Sequence, residues 1–523
     1  MARGSLSRVA ASPGRKRAIQ AVCSCSIFMV IMDGTVVNIA LPSIRDEFGA
    51  SLDGLQWTID AYLVVVASLL VFSGSLADRV GRRRIFRLGL LVFGLGSVLC
   101  GLAPSLGLLI AARVVQAVGG SMLNPVAVAI ITSVFTEPRE RARALGVWSA
   151  MSGISLAAGP IVGGLLVDTA GWRYVFLINV PVVLAVFVLT GRLVPESRRP
   201  GRRPFDPVGQ VLIVVALAAA VYALIEGSRH GFTAPDVLAG ALLAVAAGVA
   251  LPIVELRRTA PLIDFRLFRS APFSGAIVLA LTAFGAYNGF LLLATLYLQD
   301  ARGLTALLAG LFLLPVAVVM TLLPPVSAWL INRFGPRPAV AVSGLGLLTG
   351  PLVLMALHLD DNLVLLFAGF VLVGVGLGMV NAPILLAAVA GMPKAQAGVA
   401  AAIASTARQV GGALGVAIVG GILAQGWHEP SARTFTSAAV PAWAVVSFGG
   451  AVALVVGIVT TGRWAMRTAD AARDRFIQTA AGSVDAFDST EDTGPTTGPT
   501  TDPPDDGSTR APAGGRLTPD QTR

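Results

Sequence analysis

Two ionisable side chains of opposite charge lie inside long apolar stretches of this sequence. Asp33 interrupts the first stretch and Arg113 interrupts the fourth. An ionised group in the middle of a bilayer costs about 2.5 to 3.5 kcal/mol, so a retained one normally faces a cavity or a partner. Asp33 could therefore hold and release a proton, or it could form a permanent ion pair with an arginine.

Arg113 begins a polar face on its own helix. Arg113, Gln116, Gly120 and Asn124 are separated by three, four and four residues, which places them on one narrow arc. We predict that this arc lines a cavity. A snorkelling or structural arginine is the alternative.

Other apolar stretches also carry polar residues that could bind a ligand. Asp60, one turn after Trp57, is either a second acid for proton or cation binding or a solvated acid at the membrane surface.

A stripe in the ninth stretch consists of Phe284, Asn288, Thr295 and Gln299. An aromatic and amide-lined surface suits bulky amphipathic molecules, although polar contacts between helices give the same stripe. Gln409 in the thirteenth stretch is a further cavity candidate, and neighbouring Arg408 has no evident acidic partner.

These residues are positioned by apolar stretches of bilayer length. A helix rises about 1.5 Å per residue, so about 20 residues cross a hydrocarbon core of roughly 30 Å. Fourteen spans are predicted near residues 20–40, 55–77, 85–103, 107–131, 143–167, 174–194, 208–227, 236–256, 273–299, 305–330, 338–357, 362–386, 397–424 and 440–462. The chain is 55% hydrophobic and 13% charged, against a charged fraction of about 25% in soluble proteins. The sequence predicts an all-α membrane protein.

Basic residues predict the orientation of the spans. They collect in the N-terminal arm and in every second gap, whereas the intervening gaps hold only Arg45, Arg173, Arg229, Arg302 and Arg433. This asymmetry predicts that both termini are cytoplasmic. The net charge of +10 is then an orientation signal, and nucleic-acid binding is not expected. The preference for arginine over lysine indicates a GC-rich bacterial genome, and hence a bacterial cell membrane.

Enzyme chemistry has no visible basis in this sequence. It contains no P-loop, no His-Glu-x-x-His pair and no Gly-x-Ser-x-Gly elbow. Cys23, Cys25 and Cys100 lie inside predicted spans without the spacing of metal ligands or of a disulfide framework. We expect no enzymatic activity, no metal and no cofactor.

A faint internal repeat indicates two halves. Asp78, Arg79, Gly81 and Arg83 are echoed 254 positions later by Asn332, Arg333, Gly335 and Arg337, and Met122 and Asn124 are echoed 257 positions later by Met379 and Asn381. The predicted organisation is a cytoplasmic arm (1–18), a six-helix half (19–195), an inserted helix pair (196–258), a second six-helix half (259–463) and a tail (464–523). The tail begins with a short surface helix, and its remainder, rich in Asp, Thr, Pro and Gly, is predicted to be disordered.

Four motifs carry a resemblance to a known family. The segment from Gly74 to Arg84, which includes Asp78, Arg79, Gly81, Arg82 and Arg83, resembles the loop motif between helices two and three of the major facilitator superfamily. Gly159, Pro160, Gly163 and Gly164 resemble the motif of its antiporters. The segments Asp33 to Pro42, which contains Asn38, and Arg113 to Gly119 complete the resemblance, which covers roughly residues 18–465.

The resemblance implies the drug/proton antiporter branch with fourteen helices, of the EmrB/QacA type. In this fold two six-helix halves rock around a substrate site near the midplane. Asp33 would then serve in proton coupling, and Arg113 would tune the proton affinity of a neighbouring acid. The expected substrates are lipophilic drugs or antibiotics, with cationic compounds among the candidates. A proton-coupled transporter of a metabolite or lipid, by symport or export, is the alternative function.

The remaining motifs have mechanical roles in this interpretation. Gly159, Pro160, Gly163 and Gly164 would form a sliding contact, because small residues let helices approach closely and proline loosens the backbone ladder. Asp78 would accept hydrogen bonds from nearby N–H groups or pair with an arginine, and this cluster would latch the cytoplasmic side. Because one chain contains a complete cavity, we expect a monomer in the lipid bilayer that binds a small-molecule substrate.

Overall fold

A computed structural model describes residues 12–198, 206–258, 263–358, 362–390, 392, 397–427 and 432–474. The helices of the described chain are Pro13–Phe48, Leu52–Val80, Arg82–Gly101, Leu106–Val134, Pro138–Thr169, Tyr174–Leu177, Asn179–Leu193, Pro207–His230, Pro235–Leu256, Phe265–Arg269, Ala271–Leu296, Tyr297–Ala301, Ala306–Phe312, Leu314–Phe334, Pro336–Met355, Ala356–His358, Leu363–Val389, Ala397–Gly426 and Ala432–Thr460. Residues 463–474 are also helical, while the rest of the predicted tail and the first part of the N-terminal arm lie outside the described residues.

Fourteen spans of the described chain are long and apolar enough to cross a membrane. We number them in chain order; span six joins Tyr174–Leu177 to Asn179–Leu193, span nine continues into a π-helical turn, and span ten is broken at Leu313. The all-α membrane fold is therefore confirmed. The helices extend beyond the predicted apolar cores, because charged and polar turns continue them outside the hydrocarbon region.

The two halves pack in the same pattern. In the first half, span one packs on span five, and span four packs on spans two and three. In the second half, span nine packs on span thirteen, and span twelve packs on spans ten and eleven. Gly81 and Gly335, which the sequence repeat pairs, both have a positive φ, of 126° and 83°. Side chains other than glycine rarely adopt this conformation, so each repeat needs glycine where one span turns into the next.

The inserted pair, spans seven and eight, lies against both halves. Span seven packs on spans two and thirteen, and the Gln210 amide donates to the Ser68 carbonyl at 2.7 Å. The Trp57 indole donates to a carboxylate oxygen of Glu226 at 3.1 Å. The sequence predicts Trp57 in the substrate cavity. The structure directs its indole to the partly exposed Glu226 of span seven, and its role in binding stays a prediction.

Candidate functional site

A buried charge network joins spans one, four and six of the first half. A carboxylate oxygen of Asp33 lies 2.7 Å from the Arg113 guanidinium. The other carboxylate oxygen accepts from the amides of Gln116 and Asn179, each at 2.8 Å. The Asp33 side chain is 0% exposed and that of Arg113 is 1% exposed, so water does not reach the pair in this conformation. The ion pair that the sequence leaves open as an alternative is thus present.

Arg113 has further partners that hold it in place. Its Nε donates to the Thr58 carbonyl at 3.2 Å, and its Nη1 donates to the Gln116 side chain at 2.7 Å. The guanidinium carbon lies 4.2 Å from the centre of the Tyr62 ring, within the range of a cation–π contact. The positive charge is therefore shared among spans one, two and four. The described residues contain no group of three or more metal-ligating side chains.

Asn179 is a member of this network that the sequence analysis does not single out. It is fully buried and begins the second helical segment of span six, directly after the break at Ile178. An amide in an otherwise apolar span is the only sequence signal for it. Its role depends on a contact with span one, which lies 146 residues away in the chain.

Two predicted cavity residues are buried in this structure. The Gln116 amide donates to Ser97 of span three at 2.9 Å as well as to Asp33, so it lies inside the first half. Asn38 is 2% exposed and donates to the Gly34 carbonyl of its own helix at 3.1 Å. Both amides donate to groups of the first half, and their roles in substrate binding stay predictions.

Asp60 lies at the seam between spans two and thirteen. It is 0% exposed, and neither of its carboxyl oxygens has a hydrogen-bond partner among the described residues. One turn earlier, Gln56 donates to the carbonyls of Val416 and Ala417 at 3.1 and 3.0 Å. The alternative of a solvated surface acid is therefore wrong, because the second half covers this face of span two.

Four other predicted cavity residues are partly exposed: Asn124, Phe284, Asn288 and Gln409. Asn288 donates to the Phe284 carbonyl at 3.0 Å, and its amide lies beside Gly412 of span thirteen. Thr295, in contrast, is fully buried. Their roles in binding stay predictions.

Polar contacts between the halves collect at one face of the molecule. We call it the arginine-poor face, and it contains the connections at residues 49–51, 102–105, 170–173, 231–234 and 302–305. Arg45 and Asp300 form a two-point ion pair there, with nitrogen to oxygen distances of 2.6 and 2.7 Å. Asp168 accepts from the N–H groups of Ala306 and Leu307 at 3.2 and 2.9 Å.

The opposite face, which we call the arginine-rich face, contains the connections at residues 81, 135–137, 194–198, 257–258 and 335. Among the described residues, the cross-link between the halves nearest to this face is the Thr321 hydroxyl, which donates to the Gly153 carbonyl at 3.1 Å in the middle of spans ten and five. No hydrogen bond or ion pair between described residues of the two halves lies closer to it. The molecule is thus closed at its arginine-poor face.

Comparison with known proteins agrees with this geometry. The model of the Major Facilitator Superfamily matches residues 23–416. The chain belongs to this superfamily. It is 37% identical over 416 residues to the multidrug resistance protein Stp of Mycobacterium tuberculosis, which covers 79% of this chain and 77% of the relative. It is 39% identical over 400 residues to the puromycin resistance protein pur8 of Streptomyces alboniger, covering 75% and 78%.

A solved structure shows the same fold at low sequence identity. A bacterial homologue of the human drug peptide transporters PepT1 and PepT2 superposes with a TM-score of 0.63 and 15% identity, over 87% of this chain and 99% of that one. The fourteen spans and the paired halves agree with membership of the superfamily, and the two relatives above are named as drug-resistance proteins.

The glycine and proline motif at residues 159–164 lies where spans one, five and ten meet. A Cβ on Gly164 would overlap the carbonyl oxygen of Ala306, and a Cβ on Gly310 would overlap that of Pro160. Gly159 and Gly163 instead face span one. The glycines therefore let the two halves approach to backbone contact near the arginine-poor face, as a sliding contact requires.

We expect Gly164→Ala to reduce transport roughly tenfold, because the added methyl group prevents the closed contact with Ala306. Gly163→Ala is the matched control, since its methyl group would lie 3.3 Å from Val36, inside the first half, and needs only a small adjustment. The measurement is the initial rate of drug efflux from cells at equal expression. Equal losses in both variants would contradict the assignment of Gly164 to the contact between the halves.

The superfamily loop motif has its partners within the first half. Asp78 pairs with Arg82 at 2.9 Å, and Arg82 also donates to the Ala129 carbonyl at 3.0 Å. A carboxylate oxygen of Glu196, which the sequence analysis does not consider, accepts from the Arg83 N–H at 3.1 Å and lies against Gly81. The cluster thus ties spans two, three, four and six together. No ion pair among the described residues involves the echoed loop at Asn332.

Proposed function

We propose that this protein is a proton-coupled exporter of lipophilic drugs or antibiotics that works by alternating access. The observation that carries the proposal is the fully buried pair of Asp33 and Arg113 in the half that must move against the other. Protonation of Asp33 would remove one charge of the pair and change the packing of the spans that it joins. The names of the drug-resistance relatives support the substrate class.

The arginine-poor face is the outer face in this proposal, with both termini in the cytoplasm. The structure would then be the form in which the cavity is open to the cytoplasm and substrate enters. Opening of the outer face would let a proton reach the acids of the first half. Each proton that enters down about 100 mV supplies roughly 2.3 kcal/mol, so no cofactor is needed.

Asp60 would act as a second proton-binding group. An isolated carboxylate at its position would lose its hydration without gaining a partner, so we expect Asp60 to carry a proton in the closed state. Asp60→Asn resembles that neutral form. We therefore expect the variant to fold with wild-type thermal stability. Its rate of efflux driven by a pH gradient should fall roughly tenfold.

A separate comparison checks this prediction. Gln56→Glu, one turn away, places an acid where the carbonyls of Val416 and Ala417 now accept hydrogen bonds, so it should lower thermal stability. The measurement is thermal unfolding together with gradient-driven efflux. If Asp60→Asn transported like wild type under every gradient, Asp60 would not be a coupling group.

Transport into liposomes with an imposed pH gradient tests the proposed function. An antiporter moves substrate toward the acidic side, whereas a symporter moves it toward the alkaline side. Puromycin and ethidium are suitable probes, with protein-free liposomes as the control for passive trapping of weak bases. Accumulation on the acidic side that a protonophore abolishes would support the proposal, and accumulation on the alkaline side would favour the symport alternative.

A further inference from the structure

Four aspartate or arginine side chains lie in the central parts of the described spans, and only two of them neutralise each other. Asp33 and Arg113 form the buried pair, and Asp60 is an acid that can be neutral. The fourth, Arg408 of span thirteen, forms no ion pair with any described acid. An arginine cannot lose its proton under these conditions, so its charge needs a partner from another source.

Arg408 lies deep in the membrane rather than at its surface. The helix Ala397–Gly426 has 30 residues, and Arg408 lies three to four residues from its centre, which is about 5 Å at 1.5 Å per residue. This depth is near the middle of a hydrocarbon core of roughly 30 Å. Lipid phosphate groups at the membrane surface are therefore poorly placed to neutralise it.

The contacts of Arg408 among the described residues are all with neutral groups of the second half, and its side chain is partly exposed. Nη2 donates to the Ser405 hydroxyl at 2.7 Å, and Nη1 donates to the Asn381 side chain at 3.4 Å. Asn381 of span twelve is the repeat partner of Asn124, which is itself partly exposed at the predicted cavity. Both residues that Arg408 contacts are neutral, so several of its five N–H donors stay available to a ligand.

An aromatic surface accompanies this cation. The guanidinium carbon of Arg408 lies 5.6 Å from the centre of the Phe284 ring, and the Asn288 amide lies one turn further along span nine. A flat apolar body could pack on Phe284 while its acidic group meets the guanidinium. Arginine binds carboxylates through two parallel N–H donors. The compact ammonium group of lysine does not reproduce this geometry.

We infer that Arg408 is the substrate-binding residue for an acidic group, and that the preferred substrates are amphipathic organic anions with an aromatic body. This inference deepens the proposed export function and rests on it. It differs from the expectation of cationic substrates, because the central spans present a fixed cation without a fixed anion to match it. Exchange of one singly charged anion for one proton would move two elementary charges across the membrane.

Equilibrium binding to the purified full-length protein tests the inference without any gradient. The probes are 1-pyrenebutyrate, 1-pyrenebutanol and 1-pyrenebutylamine, which share one aromatic body and differ in charge. Energy transfer from the seven tryptophans to pyrene reports binding, with protein-free micelles as the blank. The wild-type protein should bind the butyrate at least tenfold more tightly than the butanol and the butylamine.

Arg408→Gln should abolish the preference for the butyrate and change the affinity for the butanol by less than threefold. Arg408→Lys should keep part of the preference, because it keeps the charge without the two-point geometry. Arg333→Gln, which removes the same charge from an exposed position at the end of span ten, is the control and should leave all three affinities unchanged. A wild-type protein without the preference, or an Arg408→Gln variant that loses all three probes equally, overturns the inference.

The outcome is distinguishable from failure of the proposed function. Gradient-driven movement of the same three probes in liposomes tests export, whereas the binding measurement tests only the site. A protein that prefers the butyrate but moves none of the probes in response to a pH gradient would keep the anion site and refute proton-coupled export of these probes. Gradient-driven export of the probes without a preference for the butyrate would keep the proposed export function and refute the anion site.

Discussion

Asp33→Asn is expected to reduce gradient-driven export to on the order of 1% of the wild-type rate, because the coupling acid is lost. It should also lower the free energy of unfolding by about 3 to 5 kcal/mol, since Arg113 would keep a buried charge without a counterion. The measurements are initial efflux rates in liposomes and thermal unfolding of the purified protein. An asparagine can still accept one hydrogen bond from Arg113, but it cannot neutralise the guanidinium.

The double variant Asp33→Asn with Arg113→Gln separates the two effects. Removing both charges eliminates the uncompensated cation, so most of the lost stability should return. Export should remain lost, because no acid is left in span one to exchange a proton. Recovery of transport together with stability would show that the pair is structural, which is the reading that the sequence alone leaves open.

Breaking the ion pair between Arg45 and Asp300 is expected to shift the conformational equilibrium away from the form closed at the arginine-poor face. The pair has two short contacts, and the Asp300 side chain is only 7% exposed. Loss of hydrogen bonds to a charged group costs about 1.5 to 3 kcal/mol, so Arg45→Gln should change the ratio of the two forms roughly 10- to 100-fold. Export should fall because the cavity opens less often toward the arginine-rich face.

Cysteine labelling measures this shift directly. Thr295→Cys, in a background with Cys23, Cys25 and Cys100 replaced by serine, puts a thiol at a position that is fully buried in the closed form. Its reaction with a water-soluble maleimide should accelerate in the Arg45→Gln variant. The charge swap Arg45→Asp with Asp300→Arg should restore slow labelling, and equally fast labelling in the swap would show that the ion pair does not hold this face closed.

The spans could be predicted from the sequence because bilayer thickness and backbone hydrogen bonding leave few alternatives. Each predicted stretch coincides with a helix, and the errors occur at the ends. Span one extends over Pro13–Phe48 because its polar ends remain helical on both sides of the apolar core. The internal repeat could also be predicted from the sequence, because Gly81 and Gly335 both adopt a positive φ at the same place in each half.

The partners of the site residues could not be predicted from the sequence. Helical spacing places Arg113 and Gln116 on one face correctly, but it does not say what faces them. Gln116 turns to Asp33 and Ser97, and Trp57 turns to Glu226, because those polar partners lie on helices distant in the chain. The contacts of Asn179 and Glu196 likewise depend on tertiary packing, which one sequence without homologues does not encode visibly.

The central claim is that substrate and proton move in opposite directions in one obligatory cycle. It is tested most directly by following the pH inside liposomes with a trapped pH-sensitive dye while a substrate gradient is imposed in the absence of a pH gradient. Inward substrate flow through the wild-type protein should drive protons outward and make the interior alkaline, and Asp33→Asn should abolish this change. Substrate flow that leaves the internal pH unchanged, or that acidifies the interior, would contradict the account.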